Sequence, residues 1–486
     1  MRLYLLRNLT VQSKVASHPL KRNRVQCCKN LSRLSLSTSR PLFSAGMSSY
    51  PPPLLLLCSL LGLVSGLRLK TSSFSQVPFL SVWNAPTHNC LSKYGVDLNL
   101  GTFDIAQNLN QTFMGDNITI FYTEKLGLYP WYSGQGKAVN GGVPQNASLD
   151  EHLRAASEDI RTYIPNRGFQ GLAVVDWESW NPVWERNWDS KLVYQDASIA
   201  LVRAEHPDWT PAQVKAAARL RFEQAGRAFM EETLKLGQEE RPNGLWGYYG
   251  FPDCYNYLGN EMSYSGECPA VAMKRNDQLL WLWNCSSALY PDIYLSLNLR
   301  GQSEEVLLYT HHRILEAMRV GAQVTPSAPP VYAYSRIVYT YSLDFLSLEH
   351  LVYTVGESAA LGSAGMVLWG DNNFSKSKAT CEAVKFYIDQ TLGPYLVNVT
   401  AAATLCSQML CSSQGRCQRR NPASRAYLHL DPAVWKLVSK EGPDGRRQYR
   451  VLGRMRANKV TFKTSKFQCS CFPGWGGKSC SKPTRG

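Results

Sequence analysis

The chain has 486 residues, of which 44% are hydrophobic and 18% charged, ordinary proportions for a folded protein with one large core and room for a smaller module. A formal charge of +15 would suit a nucleic-acid binder, but its placement argues otherwise. Nine basic residues and no acid lie within 1–46, 16 basic against 3 acidic side chains lie within 418–486, and 67–417 carries a net −7. A nucleic-acid partner is therefore not expected.

In chain order, residues 1–46 read as a basic extension ahead of a second in-frame methionine, Met47. The stretch "MSSYPPPLLLLCSLLGLVSG" at 47–66 has an apolar core closed by the small residues Ser65 and Gly66, the pattern of a secretory signal. Its apolar run is short of the roughly 20 residues that span a membrane. Neither segment is expected in the mature fold. Residues 67–400 are expected to form the main domain and 401–486 a small second one.

Short apolar runs then recur between helical stretches: "FLSVWNA", "ITIFYT", "GLAVVDWE", "GLWGYYGF", "VYAYSRIVYT" and "AGMVLWG". The longest intervening helix starts at Pro211, with Thr210 placed to cap it and Val214, Ala218, Phe222, Ala225 and Phe229 at helical spacing. Strands alternating with helices predict βα units and a parallel sheet, a (β/α) barrel first and an open doubly wound sheet second. No Gly-rich phosphate loop follows a strand, so no dinucleotide cofactor is expected.

"GLAVVDWESW" ends an apolar strand on two acids, Asp176 and Glu178. Residues two apart on a strand face the same way, about 6–7 Å apart, and barrel active sites lie at the carboxyl ends of strands. Two carboxylates there raise the pKa of at least one. A carboxylic acid kept protonated is what glycoside cleavage needs for its leaving oxygen. Trp177, Trp180, Trp184 and Trp188 would supply flat faces for sugar rings. From composition alone, two solvated loop acids beside core tryptophans fit equally well.

Three of the 14 cysteines, Cys27, Cys28 and Cys58, precede residue 66. The odd remainder leaves one thiol, expected to be Cys285. Sequons at Asn110, Asn117, Asn146, Asn284, Asn373 and Asn398 fit a glycosylated protein of the secretory route. No metal is expected, because His311 and His312 are adjacent without a surrounding ligand set. The polar C-terminus "KSCSKPTRG" carries no apolar tail of the kind a lipid anchor needs, so a secreted or lysosomal location is expected. The basic stretch within 418–466 reads as a solvated loop or, functionally, as a docking surface for a polyanion.

Seven blocks in order, "GLAVVDWESW", "NWDSKLVYQ", "GLWGYYGFPDCYNY", "NDQLLWLW", "ALYPDIY", "GESAALGSAGMVLWG" and "TLGPYLVNVT", resemble the animal hyaluronidases, glycoside hydrolase family 56. "AALGSAGMVLWGD" and "CSQMLCSSQGRC" resemble the hyaluronidase-3 subgroup. The resemblance implies a distorted (β/α) TIM-like barrel followed by an EGF-like module with a long basic insertion. It also implies an endo-acting hydrolase of β-1,4 N-acetylhexosaminidic bonds in hyaluronan, with chondroitin as a second substrate, without cofactor and as a monomer. In that reading the substrate's N-acetyl oxygen attacks the anomeric carbon, Glu178 is the general acid and then base, and Asp176 orients the N-acetyl group. Tyr294 and Trp369 would hold that group, and Tyr122, Tyr249, Tyr255 and Tyr334 would bond sugar hydroxyls.

The resemblance implies the pairs Cys90–Cys381, Cys254–Cys268, Cys406–Cys417, Cys411–Cys469 and Cys471–Cys480. Spacing alone leaves 15 connectivities open for the last six cysteines. Two positions depart from the family: Asn181 stands where most members have an arginine that can meet a uronic carboxylate, and Thr340 where many have Asp. A weakly active relative that binds glycosaminoglycan or glycoprotein is the alternative these departures favour.

Overall fold

A computed structural model describes residues 74–259, 263–441, 447–453 and 464–484. The basic extension, the signal segment and most of the arginine-rich part of the insertion lie outside the described residues. All described residues belong to one compact unit, Arg68–Gly486.

Seven short strands build the core: β1 (Leu80–Asn84), β2 (Ile105–Gln107), β3 (Ile118–Tyr122), β4 (Leu172–Asp176), β5 (Leu245–Tyr248), β6 (Tyr332–Ser335) and β7 (Gly365–Trp369). They pair in parallel as β2-β1-β7-β6 and β3-β4-β5. Parallel bridges Tyr249↔Tyr290, Leu289↔Val331 and Asp292↔Tyr334 carry β5 across to β6. At the other seam side chains replace backbone pairing. Asn117 Nδ2 donates to the Gln107 carbonyl at 2.7 Å, and Asn108 binds both the N–H and the C=O of Ile118, at 3.1 and 2.7 Å. The result is the distorted (β/α) barrel expected from the sequence.

Burial on both faces explains the near-continuous apolar runs. In β4, Leu172 and Val174 face the barrel interior with Val82, Ile120, Tyr290 and Val367. Ala173 and Val175 face outward, with the strand neighbour Trp246, against the helix layer around Phe222 and Phe229. The long helix Pro211–Glu240 starts with Thr210 and Gln213 capping each other, which satisfies amide donors of the first turn. Its buried stripe passes through Gly226 rather than the expected Ala225, which stays partly exposed. Gly237 is required there, because a Cβ would stand 2.7 Å from the Trp246 ring.

The five disulfides observed are the five pairs the resemblance implied. Cys90–Cys381 closes a separation of 291 residues, a staple that removes unfolded-state entropy worth up to about 5 kcal/mol. Among the described residues Cys285 is the free thiol. Helix Gly393–Leu410 runs across position 400 and carries Cys406, so the expected domain boundary falls within a continuous helix. Beyond it the strands Gly415–Arg419 and Phe467–Cys471 pair, and the strands Trp435–Glu441 and Arg447–Gly453 form a hairpin. The module is locked to the barrel by a buried ion pair of Arg419 with Glu357, whose other oxygen meets His311 Nδ1 at 2.8 Å.

Four sequon asparagines, Asn110, Asn146, Asn284 and Asn373, are exposed. Asn117 and Asn398 are half-buried, the first tied into the barrel seam and the second accepting the Leu430 N–H at 3.1 Å. No helix among the described residues is long and apolar enough to cross a membrane, and no group of His, Cys, Asp or Glu among them could hold a metal ion.

Candidate active site

Strand parity places the site. Positions 172 and 174 face inward, so Asp176 continues that row into the barrel mouth, beside its register partner Tyr122 on β3. Glu178, two residues on, is exposed. Burial, and then the neighbouring Glu178 charge, push the Asp176 carboxyl well above its ordinary 3.8. Asp176 Oδ1 is buried and meets no protein donor. An ionised carboxylate in that position would be costly, whereas a protonated one is tolerated.

Trp177 takes the outward parity of Ala173 and Val175, Trp180 and Trp184 lie beyond the strand, and together they correct the expectation of sugar platforms. Trp177 is 4% and Trp180 3% exposed. They stack on Tyr129 at 4.6 and 5.3 Å, while Trp184 packs on Phe222 at 5.7 Å. All three belong to the outer core. Of the four only Trp188 is open, at 50% exposure.

The mouth is walled instead by aromatics ending other strands. Tyr122, Tyr249, Tyr294 and Trp369 are partly exposed and pack on the inner core. Trp369 Nε1 donates to Tyr122 Oη at 3.0 Å. Trp369 stacks on Tyr294 at 6.0 Å, and Tyr294 lies 6.1 Å from Tyr249. Burial raises the pKa of all three tyrosines, so they stay neutral hydrogen-bond donors. Tyr334 differs: it is fully buried, edge-on beneath Tyr249 at 5.0 Å, and its Oη has no partner. It is a floor residue with no surface to offer a sugar. Tyr255 lies apart, under the Arg186 guanidinium at 4.7 Å.

Asn181 is already employed. Its Oδ1 accepts the Val183 N–H at 3.0 Å, while its own N–H and C=O are held by the Asn187 side chain at 2.8 Å each. Only its amide NH₂ is left for a ligand. Thr340 N–H donates to the Leu295 carbonyl at 2.8 Å.

Sequence reasoning missed two charged groups. Arg336 lies over the Trp369 ring at 4.8 Å and donates to Asp371 Oδ2 at 2.9 Å. Asp292 sits beside Tyr334 in the bridge register and binds Arg313 at 2.8 Å, with Asp253 3.4 Å from the same guanidinium. Burial raises the Asp292 pKa against the pull of Arg313. Arg313 could have been flagged: it falls on the apolar stripe of helix Ser303–Gly321, where the buried Val306, Thr310, Ile314 and Ala317 surround it.

Two acids and an aromatic wall at the carboxyl ends of parallel barrel strands define a glycosidase-type site. The family model described as hyaluronidase matches residues 68–484. Hyaluronidase-1 of Mus musculus is 48% identical over 85% of this chain and 88% of its own length. A hyaluronidase of Crotalus adamanteus is 44% identical over 86% and 93%. The crystal structure of bee venom hyaluronidase with a hyaluronic acid tetramer superposes with a TM-score of 0.60 at 36% identity, covering 65% of this chain and 98% of that one. The chain belongs to the hyaluronidase family.

Proposed function

We propose that the protein is an endo-hydrolase of the β-1,4 N-acetylhexosaminidic bonds of hyaluronan, working by substrate-assisted acid/base catalysis. The observation that carries this reading is the inward-facing Asp176 carboxyl, its Oδ1 buried without a protein donor and its pKa raised by burial and by the neighbouring Glu178. The adjacent carboxyls of Asp176 and Glu178 share one proton, which Glu178 holds when substrate is bound. In the first step the substrate's N-acetyl oxygen attacks the anomeric carbon, the glycosidic C–O bond breaks, and Glu178 gives that proton to the leaving oxygen. Water then adds to the cyclic intermediate and returns a proton to Glu178. Asp176 hydrogen-bonds the N-acetyl nitrogen and disperses its developing charge. Tyr294 and Trp369 enclose the N-acetyl group, and Tyr122 and Tyr249 present hydroxyls to the sugars.

The hyaluronic acid tetramer of the bee venom complex supports a polymeric, N-acetylated substrate. Chondroitin, with the same linkage type, is the second substrate of this reading. A secreted or lysosomal location agrees with the disulfides and exposed sequons. The test is size analysis of hyaluronan and chondroitin after incubation with purified protein from acidic to neutral pH. Progressive shortening to even-numbered oligosaccharides is expected. Unshortened hyaluronan across the range would refute the enzyme and leave a glycosaminoglycan-binding relative, the reading that Asn181 and Thr340 favour.

A further inference from the structure

The Trp435–Glu441 and Arg447–Gly453 hairpin has two unlike faces. Trp435, Leu437, Tyr449 and Val451 pack on the main core. Tyr449 lies 5.0 Å from the Phe103 ring and its hydroxyl reaches the Asp389 carbonyl at 3.5 Å. The hairpin is thus fixed to the body of the protein. Lys436, Lys440 and Arg450 are exposed, and none of them forms an ion pair with an acid among the described residues.

Register places these three charges together. Lys436 lies opposite Leu452, and Val438 opposite Arg450, so Arg450 is diagonal to both lysines, about 7–8 Å from each at the backbone. The lysines are four residues apart, about 13 Å along the strand. Lys436, Val438 and Leu452 line one shallow concavity, with Leu452 54% exposed. A row of cations flanking small apolar faces suits a chain that alternates carboxylates with sugar rings.

Charge balance supplies the reason for such a row. Residues 67–417 carry a net −7, so the barrel repels a polyanion, while a fixed basic strip would attract one and hold it near. We propose that the outer face of this hairpin is a second binding site, outside the catalytic groove, for hyaluronan. The choice of hyaluronan rests on the proposed function; the site itself rests on the hairpin's geometry.

The test uses the full chain carrying Glu178→Gln, so that the polymer survives, with Lys436→Gln, Lys440→Gln and Arg450→Gln added. Affinity for immobilised hyaluronan should fall about tenfold or more at low salt, and its salt dependence should flatten. A control with Lys93→Gln, Lys137→Gln and Lys215→Gln, exposed lysines of the barrel, should bind as before. In the otherwise unaltered enzyme the triple hairpin change should raise KM for long hyaluronan and leave hydrolysis of short oligosaccharides unchanged. Equal binding with and without the hairpin charges, an equal loss in the control, or binding to heparin but not hyaluronan would each overturn the proposal. Absence of hydrolysis with the binding loss intact would sink the proposed function alone.

Discussion

Trp369 Nε1 donates to Tyr122 Oη at 3.0 Å, closing the barrel mouth across β7 and β3 beside Asp176. Neither group is replaceable in isolation: Tyr122→Phe strands the indole N–H, and Trp369→Phe strands the phenol. The two effects should therefore overlap. Both single variants are expected to lower kcat/KM on hyaluronan, and the double variant to lose less than their product. A coupling of about 1 kcal/mol, the usual worth of one hydrogen bond, is expected from the double-mutant cycle. Additive losses would show that the two residues serve the groove independently.

Glu178→Gln keeps the shape of the side chain but cannot donate a proton. Hyaluronan cleavage should fall by roughly 10²- to 10⁴-fold, the usual share of a general acid, with the thermal transition intact. A folded Gln variant that cleaves near the parental rate would remove Glu178 from the mechanism.

Asp176→Asn carries a stability signature as well as lost activity. The folded-state pKa of Asp176 is raised above 3.8, so below that pH both states hold the proton and the group contributes nothing unfavourable. As pH rises, the unfolded chain ionises first and the folded protein loses relative stability until the pH reaches its own raised pKa. Asn removes that loss. The variant's Tm should exceed the parent's at neutral pH, with the gap closing as pH falls toward 3.8; a gap independent of pH would contradict the burial account.

The barrel and its acids were legible because strand runs and carboxylate spacing are local patterns. Asp176 and Glu178 announce themselves two residues apart at the end of "GLAVV". What stayed hidden depends on the path of the chain beyond the strand and on contacts from afar. Trp177, Trp180 and Trp184 share composition with sugar platforms, yet their side chains turn to the helix layer. Tyr334 sits at a strand end like Tyr122 but is roofed by Tyr249. Arg336 gains its place only through Trp369 and Asp371, more than 30 residues on. The disulfide pairing was legible only through resemblance.

His152 should make the fold acid-sensitive. It is buried, its Nδ1 accepts the Leu128 N–H at 2.9 Å, and its Nε2 meets Thr233 Oγ1 at 2.8 Å. Burial pushes its pKa from 6.5 down to about 4. The neutral ring stabilises the fold above pH 6.5, and that contribution is lost as pH falls from 6.5 through about 4. At roughly 1.4 kcal/mol per unit, the loss is up to about 3 kcal/mol. His152→Gln cannot titrate, so its Tm should fall less than the parent's between pH 7 and 4. Parallel declines in both proteins would assign the acid sensitivity elsewhere.

Asn181 is the departure nearest the acids, and its surroundings decide what an arginine there would do. The loop is held by the Asn187 side chain, which binds the N–H and C=O of residue 181 and is itself fully buried. Those bonds survive any side chain at 181. The one bond lost in Asn181→Arg is Asn181 Oδ1 with the Val183 N–H, a cost of about 0.5–1.5 kcal/mol in stability. The gain is a planar fork able to meet a uronic carboxylate, and charged hydrogen bonds are worth roughly 1.5–3 kcal/mol. Hyaluronan kcat/KM should therefore rise about tenfold or more, at 1.4 kcal/mol per decade, while Tm drops slightly. Chitin-type oligomers, which carry no carboxylate, should gain nothing. An equal gain on both substrates would mean that the arginine acts through loop geometry rather than charge. No gain on hyaluronan would mean that the groove is shaped around Asn181 for a different neighbouring sugar.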